Sequence, residues 1–583
     1  MKRLLFIIPM HITFESFLSP AHNSRTFLKS DGKKYNSLST DLPLGALSMS
    51  SYLKKFIDIE IKLIDFNAEI NALDSFPYDS FYDCCVDLLS RTCEKGETFD
   101  YVGVSSLFSP SYNNFLDCGR ASKALFPNAL ILGGGNIPTN SYESIYASSA
   151  ADAFTALCFG EGEKPLLNLL QADDPFEYLA TSQQWVTKAK VADTSNQLIL
   201  KHDFIEDLDE IPFFDYGLCD FDKHFSNPVT SSFHSVRNKR GFHVMTSRGC
   251  PFLCTFCASH KTHGRKMRYH SLDRVNEDLS RLARDYQADT IVFQDDHLMA
   301  DKERVYEILK IIGKLDVESL YQNGLTLYAL DRKMLEAFYD ASVRHLVLPV
   351  ESGSERVLKE LMQKPLKLRI SERVAQDCRD LGIYTNTNIL IGMPGETEAD
   401  LDEGRLNLRK VATNWFNIAC ASPIVGSDMH KLAAEKKYIK LENLGADYRM
   451  ASIHTEDFTP EFIQEYQYRM NLELNFVLNT DMRFGEYRLA LKAFNNVIRL
   501  RDDHAFAHYF AALCHRELNN AQEALHHMNV YLVNSKTEFW SKWVRVFDLA
   551  ATEAEFLELP RGATPSDALF QKCERQLEEL DTQ

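Results

Sequence analysis

Residues 248–257 read RGCPFLCTFC and follow a short stretch, residues 243–247, that is typical of a β-strand. The spacing Cys-x3-Cys-x2-Cys places Cys250, Cys254 and Cys257 within eight residues. Three thiolates this close together can curl around one metal centre, and soft thiolate ligands favour an iron–sulfur cluster. With three protein ligands, one iron of a four-iron cluster stays open for an exogenous ligand.

The residues alone leave two other interpretations of this loop open. A structural zinc site would need a fourth ligand, which His260 or His263 could supply. Cys254 and Cys257 could instead form a redox-active Cys-x2-Cys pair. Unrelated buried cysteines do not account for so tight a cluster followed by the polar segment 259–268.

The composition is that of a folded protein with several domains. At about 150 residues per domain, 583 residues suggest three or four domains. Hydrophobic residues at 45% exclude wholesale disorder, and a formal net charge of −18 argues against nucleic-acid binding. Thirteen scattered cysteines do not resemble a small secreted disulfide scaffold. No apolar run reaches the roughly 18–20 residues of a membrane span, and residues 2–9 are too short for a signal peptide, so we expect a cytoplasmic protein.

Residues 1–170 predict a doubly wound α/β domain, in which strands and helices alternate. Strands are expected at residues 4–9, 60–66, 101–106, 129–132 and 153–158, and a helix begins at Pro43-Leu44-Gly45 and ends near residue 55. Glycines follow two of these strands, in the triplet 133–135 and in the segment 159–163. Ligands of such domains bind at the carboxyl edge of the sheet.

Residues 171–240 predict a linker, and residues 241–440 a complete or partial (β/α) barrel. The acidic, aromatic segment 203–216 of the linker is expected to pack on the barrel. Barrel strands are expected at residues 243–247, 290–294, 324–328, 345–350, 384–391 and 417–422.

Residues 441–583 predict an all-helical domain with a tetratricopeptide-like repeat. Ala490 and Ala524 are 34 positions apart, as are Phe494 and Met528, which is the tetratricopeptide period. Two unrelated amphipathic helices are the alternative. Such a domain could dock a peptide or protein partner, cover the barrel mouth or form a dimer contact.

Several histidines lie in this helical domain, namely His504, His508, His515, His526 and His527. Helical spacing puts His504 and His508 on one face. Exposed histidines on helices are common, so the sequence alone favours no second metal site.

The cysteine loop resembles that of the radical S-adenosylmethionine (SAM) enzymes. Further segments resemble that family's later barrel motifs in the same order, at residues 291–296, 349–354, 388–397 and 421–427. The resemblance implies that Cys250, Cys254 and Cys257 hold a [4Fe-4S] cluster. Its open iron would bind SAM, and one electron would then yield a 5′-deoxyadenosyl radical.

The same resemblance implies a set of SAM-binding residues: Phe256, Asp295, Asp296, Glu351, Ser352, Gly392 and Glu396. Phe256 would contact the adenine, and the two aspartates would accept from the methionine ammonium. Two simpler roles stay open, because either aspartate could cap the following helix and Ser352 could be a turn residue.

The first domain resembles the cobalamin-binding domain that precedes one large group of radical SAM enzymes. The resemblance implies a set of cobalamin-binding residues: Pro43, Leu44, Gly45, Gly133, Gly134, Gly135, Gly160, Glu161, Gly162 and Glu163. The Asp-x-His-x-x-Gly motif of other cobalamin proteins is absent. We therefore expect no histidine ligand below the cobalt, and expect His11 and His22 to be surface or loop residues.

In the resembled group, the common activity is methyl transfer to an unactivated carbon or phosphorus, with a small molecule or peptide as substrate. One SAM methylates cob(I)alamin and a second supplies the radical, with electrons from a donor such as flavodoxin or ferredoxin. The alternatives are radical cyclisation or rearrangement without methylation, and a cobalamin-binding sensor or docking protein with an inert barrel. Methylthio transfer is disfavoured, because Cys84, Cys85 and Cys93 do not reproduce a second cluster site.

Overall fold

The computed structural model of the chain describes residues 1–20, 24, 26–93, 96–195, 197–225, 240–439 and 450–559. An α/β unit, a partial barrel and a helical region follow one another along these residues. No helix within them is long and apolar enough to cross a bilayer. His22 lies outside the described residues.

The first unit contains a six-stranded sheet and a small hairpin. Its strands are β1 (Lys2–Ile8), β2 (Thr26–Leu28), β3 (Lys34–Asn36), β4 (Ile59–Asp65), β5 (Tyr101–Ser105), β6 (Leu130–Gly134), β7 (Ala156–Cys158) and β8 (Trp185–Val186). Its helices are α1 (Phe14–Leu18), α2 (Leu44–Phe56), α3 (Phe66–Ala72), α4 (Phe81–Thr92), α5 (Tyr112–Leu125), α6 (Asn136–Ala147), α7 (Glu163–Gln171), α8 (Pro175–Thr181) and α9 (Lys188–Ala192).

The sheet order β4-β1-β5-β6-β7-β8 is that of a doubly wound α/β fold. Neighbouring strands are parallel except for β7 and β8, which are antiparallel. All five predicted strands and the predicted helix α2 are confirmed, with shifts of up to three residues at their ends. The sequence did not predict the edge strand β8 or the β2–β3 hairpin.

The central region contains six parallel strands that alternate with helices, and a short antiparallel pair, β10 and β11. Its strands are β9 (Gly241–Val244), β10 (Ser247–Arg248), β11 (Arg268–Tyr269), β12 (Thr290–Phe293), β13 (Glu318–Tyr321), β14 (His345–Glu351), β15 (Tyr384–Ile391) and β16 (Trp415–Cys420). Its helices, with one that precedes the first strand, are α10 (Phe221–His224), α11 (Ser259–His263), α12 (Leu272–Asp285), α13 (Lys302–Ile312), α14 (Arg332–Asp340), α15 (Leu368–Leu381), α16 (Glu398–Leu408) and α17 (Asp428–Glu435).

These strands form a partial barrel. The sheets β13-β12-β9 and β14-β15-β16 are each parallel, and β13 contacts β14. The hydrophobic core runs without a break from the first unit to the barrel, and it includes Phe6, Ile211 and Phe242. Tyr216 of the predicted linker donates its hydroxyl to the carbonyl of His243 at 2.7 Å. This shared core fixes the first unit against the barrel.

The prediction of the third barrel strand at residues 324–328 was wrong. The strand is Glu318–Tyr321, and the predicted segment is a loop that leads into a short 3-10 turn, Leu327–Ala329. Gly324 has φ +77°, which ends any extended run there. Leu325 and Leu327 are apolar because the loop itself packs into the core.

The last described region is all-helical, as predicted. Its helices are α18 (Pro460–Leu472), α19 (Thr480–Arg483), α20 (Tyr487–Leu500), α21 (Ala505–Glu517), α22 (Ala521–Asn534), α23 (Glu538–Val546) and α24 (Glu553–Glu558). Helix α21 packs against both α20 and α22. Buried ion pairs, such as Arg409 with Glu473 at 2.6 Å, attach this region to the barrel. The tetratricopeptide-like assignment stays a prediction.

Candidate functional site

The cysteine loop leaves the barrel at the end of its first strand. Ser247 and Arg248 pair with Tyr269 and Arg268 in the antiparallel β10–β11 ladder, which closes the loop at its base. Gly249 follows with φ +96°, and a Cβ atom there would lie 2.4 Å from the Lys266 carbonyl oxygen. This tight turn therefore requires glycine and directs the chain into the cysteines.

Backbone hydrogen bonds hold the loop against the barrel. Cys250 donates its N–H to the Gly264 carbonyl at 3.2 Å, and Thr255 donates to the Met362 carbonyl at 3.0 Å. Thr255 in turn accepts from the Met429 N–H at 2.8 Å. These bonds anchor the backbone of the loop that carries the three cysteines.

The three loop cysteines differ from the others in exposure. Of the twelve cysteines in the described residues, nine are buried, and Cys250, Cys254 and Cys257 are partly exposed. All three line a cavity of about 860 Å³. Their thiols are therefore accessible from one shared space.

This cavity lies between the first unit and the barrel, and both contribute to its wall. All ten residues predicted to bind cobalamin line it: Pro43, Leu44, Gly45, Gly133, Gly134, Gly135, Gly160, Glu161, Gly162 and Glu163. No described residue of 450–559 does so, which disfavours the helical region as a lid. The carboxyl edge of the sheet thus faces the cysteine loop across one space.

The glycines of the first unit make room on their side of the cavity. A Cβ atom on Gly45 or Gly134 would have no heavy atom within 4 Å, so each backbone borders open space. Gly135 has φ +96° and lies tightly against the Ser106 carbonyl, which fixes the turn after β6. This glycine-lined wall fits a bulky, flat ligand that approaches the backbone closely.

The residues predicted to bind SAM divide into two groups. Phe256, Asp296 and Glu351 line the cavity. The other four do not line the cavity: Asp295, Ser352, Gly392 and Glu396.

Asp295 is fully buried at the end of β12 and is already saturated with protein partners. Its carboxylate accepts from the Thr246 N–H at 3.1 Å, the Thr246 hydroxyl at 2.8 Å and the Ser247 hydroxyl at 2.6 Å. Burial raises its pKa, although these hydrogen bonds oppose the rise. Neither Asp295 nor Asp296 caps the following helix α13, because Asp301 does.

The side chains of Ser352 and Glu396 accept hydrogen bonds from backbone N–H groups. Ser352 accepts from the Ser354 N–H at 3.1 Å, which is the turn role left open from the sequence. The Glu396 carboxylate accepts from the N–H groups of Gly392 at 2.6 Å and Met393 at 2.9 Å. Burial raises the pKa of Glu396 to about 7, against the effect of these two bonds.

A buried ion network joins the first unit to the cysteine loop. Glu161 accepts from Arg268 at 2.6 Å, from His263 at 2.9 Å and from Arg248 at 3.3 Å. Arg248 also pairs with Glu163 at 2.8 Å. Burial opposes ionisation of Glu161, but the charge of Arg248 and the bonds from Arg268 and His263 outweigh it and hold its pKa well below the usual range.

The geometry does not favour the zinc alternative. In the part of the chain that the structure describes, one group of three ligand atoms lies within 4.8 Å of one another, and it contains neither the loop cysteines nor His260 or His263. The cysteine sulfurs are therefore spread more widely than a single tetrahedral zinc ion requires. His263 is also engaged by Glu161.

Sequence reasoning missed several residues of the cavity wall. Gln294 and Gln322 each follow a barrel strand directly, and Asn323 comes next. Gln294 donates to Gln322 at 2.6 Å and accepts from Asn323 at 2.9 Å, which makes a linked amide strip. These residues could have been predicted from their position at the carboxyl ends of barrel strands, where active-site residues of such folds lie. His11 lies in the loop after β1, as expected, but it lines the cavity rather than the outer surface.

Comparisons with known proteins agree with this geometry. Residues 244–404 match the family model described as the radical SAM superfamily. The chain is 26% identical over 442 residues to cytidylyl-2-hydroxyethylphosphonate methyltransferase of Streptomyces wedmorensis, over 70% of this chain and 80% of that protein.

Two solved structures share the architecture. The cobalamin-dependent SAM radical enzyme OxsB, with aqua-cobalamin and SAM bound, superposes with a TM-score of 0.57 at 15% identity, over 99% of this chain and 80% of that one. The radical SAM methyltransferase TsrM from Kitasatospora setae, with cobalamin and a [4Fe-4S] cluster bound, gives 0.53 at 13% identity over 75% of each chain. The chain therefore contains a radical SAM domain and has the architecture of the cobalamin-dependent radical SAM enzymes.

Proposed function

We propose that the chain is a cobalamin-dependent radical SAM methyltransferase that acts on an unactivated carbon or phosphorus of a metabolite or peptide. The observation that carries this proposal is the single cavity lined by both the cysteine loop and the glycine turns of the first unit. The domains would be residues 1–170 for cobalamin, 171–240 as linker, 241–440 as barrel and 441–583 as helical domain. The first part of the predicted linker belongs structurally to the first unit, because β8 (Trp185–Val186) is the edge strand of its sheet.

The cofactor assignments follow from the two sides of the cavity, which are the cysteine loop and the glycine turns of the first unit. Cys250, Cys254 and Cys257 would hold a [4Fe-4S] cluster with one open iron for SAM. The glycine-lined wall would hold cobalamin. When bound, the cluster supplies one electron for cleavage of SAM, and cobalamin supplies methyl transfer.

The protein's own residues would orient and enclose these groups. Asp296 lies 3.3 Å from the Gly249 N–H, next to the first cysteine, and presents a carboxylate to the methionine ammonium of SAM. Phe256 presents a ring to the adenine. The amide strip offers donors and acceptors to a polar substrate.

The names of two relatives support methyl transfer, whereas a relative from Rubrivivax gelatinosus, 25% identical over 341 residues, is named as a cyclase. The relative from Streptomyces wedmorensis is named as a methyltransferase of a phosphonate compound, and TsrM is described as a methyltransferase. These names support the reaction class but leave the substrate of this chain open. The reductant, such as flavodoxin or ferredoxin, and a partner at the helical region are further parts of the proposal.

The test is anaerobic reconstitution with iron, sulfide, cobalamin and methyl-deuterated SAM, followed by reduction with candidate phosphonates and peptides. We expect 5′-deoxyadenosine, S-adenosylhomocysteine and a product that carries the labelled methyl group. A rearranged product without label would instead identify a cyclase or rearrangement enzyme. No 5′-deoxyadenosine under any condition would leave the sensor alternative.

A large side chain introduced into the glycine-lined wall tests whether cobalamin binds there. In Gly134→Leu the new side chain projects into open space at the cavity, so we expect cobalamin affinity to fall by about 10-fold or more with little change in Tm. Gly241→Leu is the matched control, because its Cβ site is also open but lies outside the cavity wall. Equal cobalamin binding by both variants would contradict the assignment.

Variants of the adjacent residues Asp295 and Asp296 distinguish a side chain that contacts SAM from one that stabilises the fold. We expect Asp296→Asn to raise the KM for SAM by about 10- to 100-fold, since a hydrogen bond to a charged group contributes about 1.5–3 kcal/mol. Asp295→Asn should instead lower the free energy of unfolding by about 1–3 kcal/mol, because it disturbs three buried hydrogen bonds. Initial rates against SAM concentration and urea unfolding measure the two effects. The reverse pattern would exchange the roles assigned to the two residues.

A further inference from the structure

A second candidate metal site lies in the helical region, away from the cavity. Helices α21 and α22 form an antiparallel pair that carries four histidines: His508, His515, His526 and His527. One ligand atom from each of His515, Glu523 and His527 lies within 4.8 Å of the other two. Within the described residues this is the one group of three that meets that distance.

Hydrogen bonds fix the tautomer of His527. The Asp502 carbonyl can only accept, so His508 Nε2, at 2.9 Å, carries a proton. The neutral His508 ring then has a lone pair on Nδ1, which must accept from Nδ1–H of His527 at 2.9 Å. His527 Nε2 is left with its lone pair.

This arrangement is the one by which proteins prepare a histidine for a metal ion. A ligating imidazole usually donates its other N–H to a neighbouring acceptor, which fixes the ring and raises its basicity. At 3.4 Å the contact between Asn520 and His515 Nδ1 is weak and does not fix the His515 tautomer.

Two neighbouring helices bring the three ligand residues together. Glu523 and His527 are four residues apart on α22 and therefore share a helix face. His515 lies in the last turn of the neighbouring helix α21. Glu523 is exposed and His515 half-buried, so an ion can enter from solvent and keep a water ligand.

We propose that His515, Glu523 and His527 bind a divalent transition-metal ion of the zinc type. Two imidazoles and one carboxylate, with an open fourth position, suit Zn²⁺ better than Mg²⁺ or Ca²⁺, which favour oxygen ligands. The ion ties α21 to α22. Its binding therefore stabilises the helical region without touching the wall of the cavity.

The test is a Zn²⁺ titration of the cluster-loaded, cobalamin-loaded protein by anaerobic calorimetry. We expect one Zn²⁺ per chain and a rise in Tm with zinc. His515→Ala, Glu523→Gln and His527→Ala should each weaken binding by at least about 10-fold. His526→Ala is the matched control, because it removes a neighbouring exposed imidazole outside the triad and should bind as the wild type does.

X-ray absorption at the zinc edge of the wild-type protein identifies the zinc ligands directly. The result therefore does not depend on whether the variants fold. We expect nitrogen and oxygen ligands at about 2.0–2.1 Å and no sulfur. Sulfur at about 2.3 Å would place the zinc in the cysteine loop and overturn the proposal. Absence of saturable binding, or equal loss in His526→Ala and His527→Ala, would overturn it as well.

Discussion

Cys254→Ala should reduce 5′-deoxyadenosine formation below detection, and Cys250→Ala and Cys257→Ala should do the same. Each of these side chains reaches the cavity from an anchored loop, and each would supply one of three thiolates to the cluster. With two thiolates left, the cluster loses one of its three protein ligands. This is the largest effect that the proposed site predicts.

The measurement combines iron and sulfide content with 5′-deoxyadenosine formed after reduction in the presence of SAM. Cys378→Ala is the matched control, because Cys378 is a buried thiol within helix α15 of the same barrel. It should keep its iron and its activity. A Cys254→Ala protein with wild-type iron content and nucleoside formation would show that the cluster is elsewhere.

Glu161→Gln should destabilise the protein by about 3–5 kcal/mol, the usual cost of removing one member of a buried ion pair. The side chain of Glu161 is about 3% exposed, and those of Arg248 and Arg268 are 6% and 2% exposed. Without the carboxylate, Arg268 keeps a buried charge that is bonded to the carbonyls of Ile205 and His263, while Arg248 keeps Glu163. Thermal and urea unfolding under anaerobic conditions measure the loss.

Two further variants identify the cause of that loss. Glu206→Gln removes an exposed ion pair with Lys266 and should leave stability unchanged. Replacing both partners, as Glu161→Met with Arg268→Met, should recover part of the stability, because no unpaired charge is then buried at that contact. A double variant less stable than Glu161→Gln would contradict this explanation.

The same network predicts a pH dependence. The pKa of Glu161 is held below its value in the unfolded chain, which is about 4.3. Its contribution is therefore fully present above about pH 4.3 and is lost as the pH falls further towards the folded-state pKa. The stability difference between wild type and Glu161→Gln should shrink over that acidic range. A constant difference would mean that ionisation of Glu161 is not involved.

Much of the fold follows from local patterns in the sequence. The parallel strands of the first unit are short apolar runs, two of which lead into glycines, and the barrel strand Tyr384–Ile391 was predicted with its exact bounds. The third barrel strand was misplaced because a buried loop and a strand carry the same apolar residues. That error also hid Gln322 and Asn323, whose position is informative only once β13 ends at Tyr321.

The site was harder to predict, because adjacent residues can have opposite roles. Asp295 and Asp296 face different ways after β12: the Asp295 carboxylate is bonded to Thr246 and Ser247, whereas that of Asp296 accepts from the Gly249 N–H and also borders the cavity. Glu161 lies in a glycine segment that suggests a ligand, yet its carboxylate pairs with Arg268, which is 107 positions away. Such long-range pairing leaves no local signal in a single sequence.

The central claim is that the cluster and cobalamin share one cavity, and electron paramagnetic resonance tests it most directly. In protein loaded with both groups, reducing the cluster beside cob(II)alamin should broaden the cobalt signal and speed its relaxation through spin–spin coupling. In Cys254→Ala the cobalt signal should stay unperturbed. A cob(II)alamin spectrum that does not change when the wild-type cluster is reduced would contradict the shared cavity.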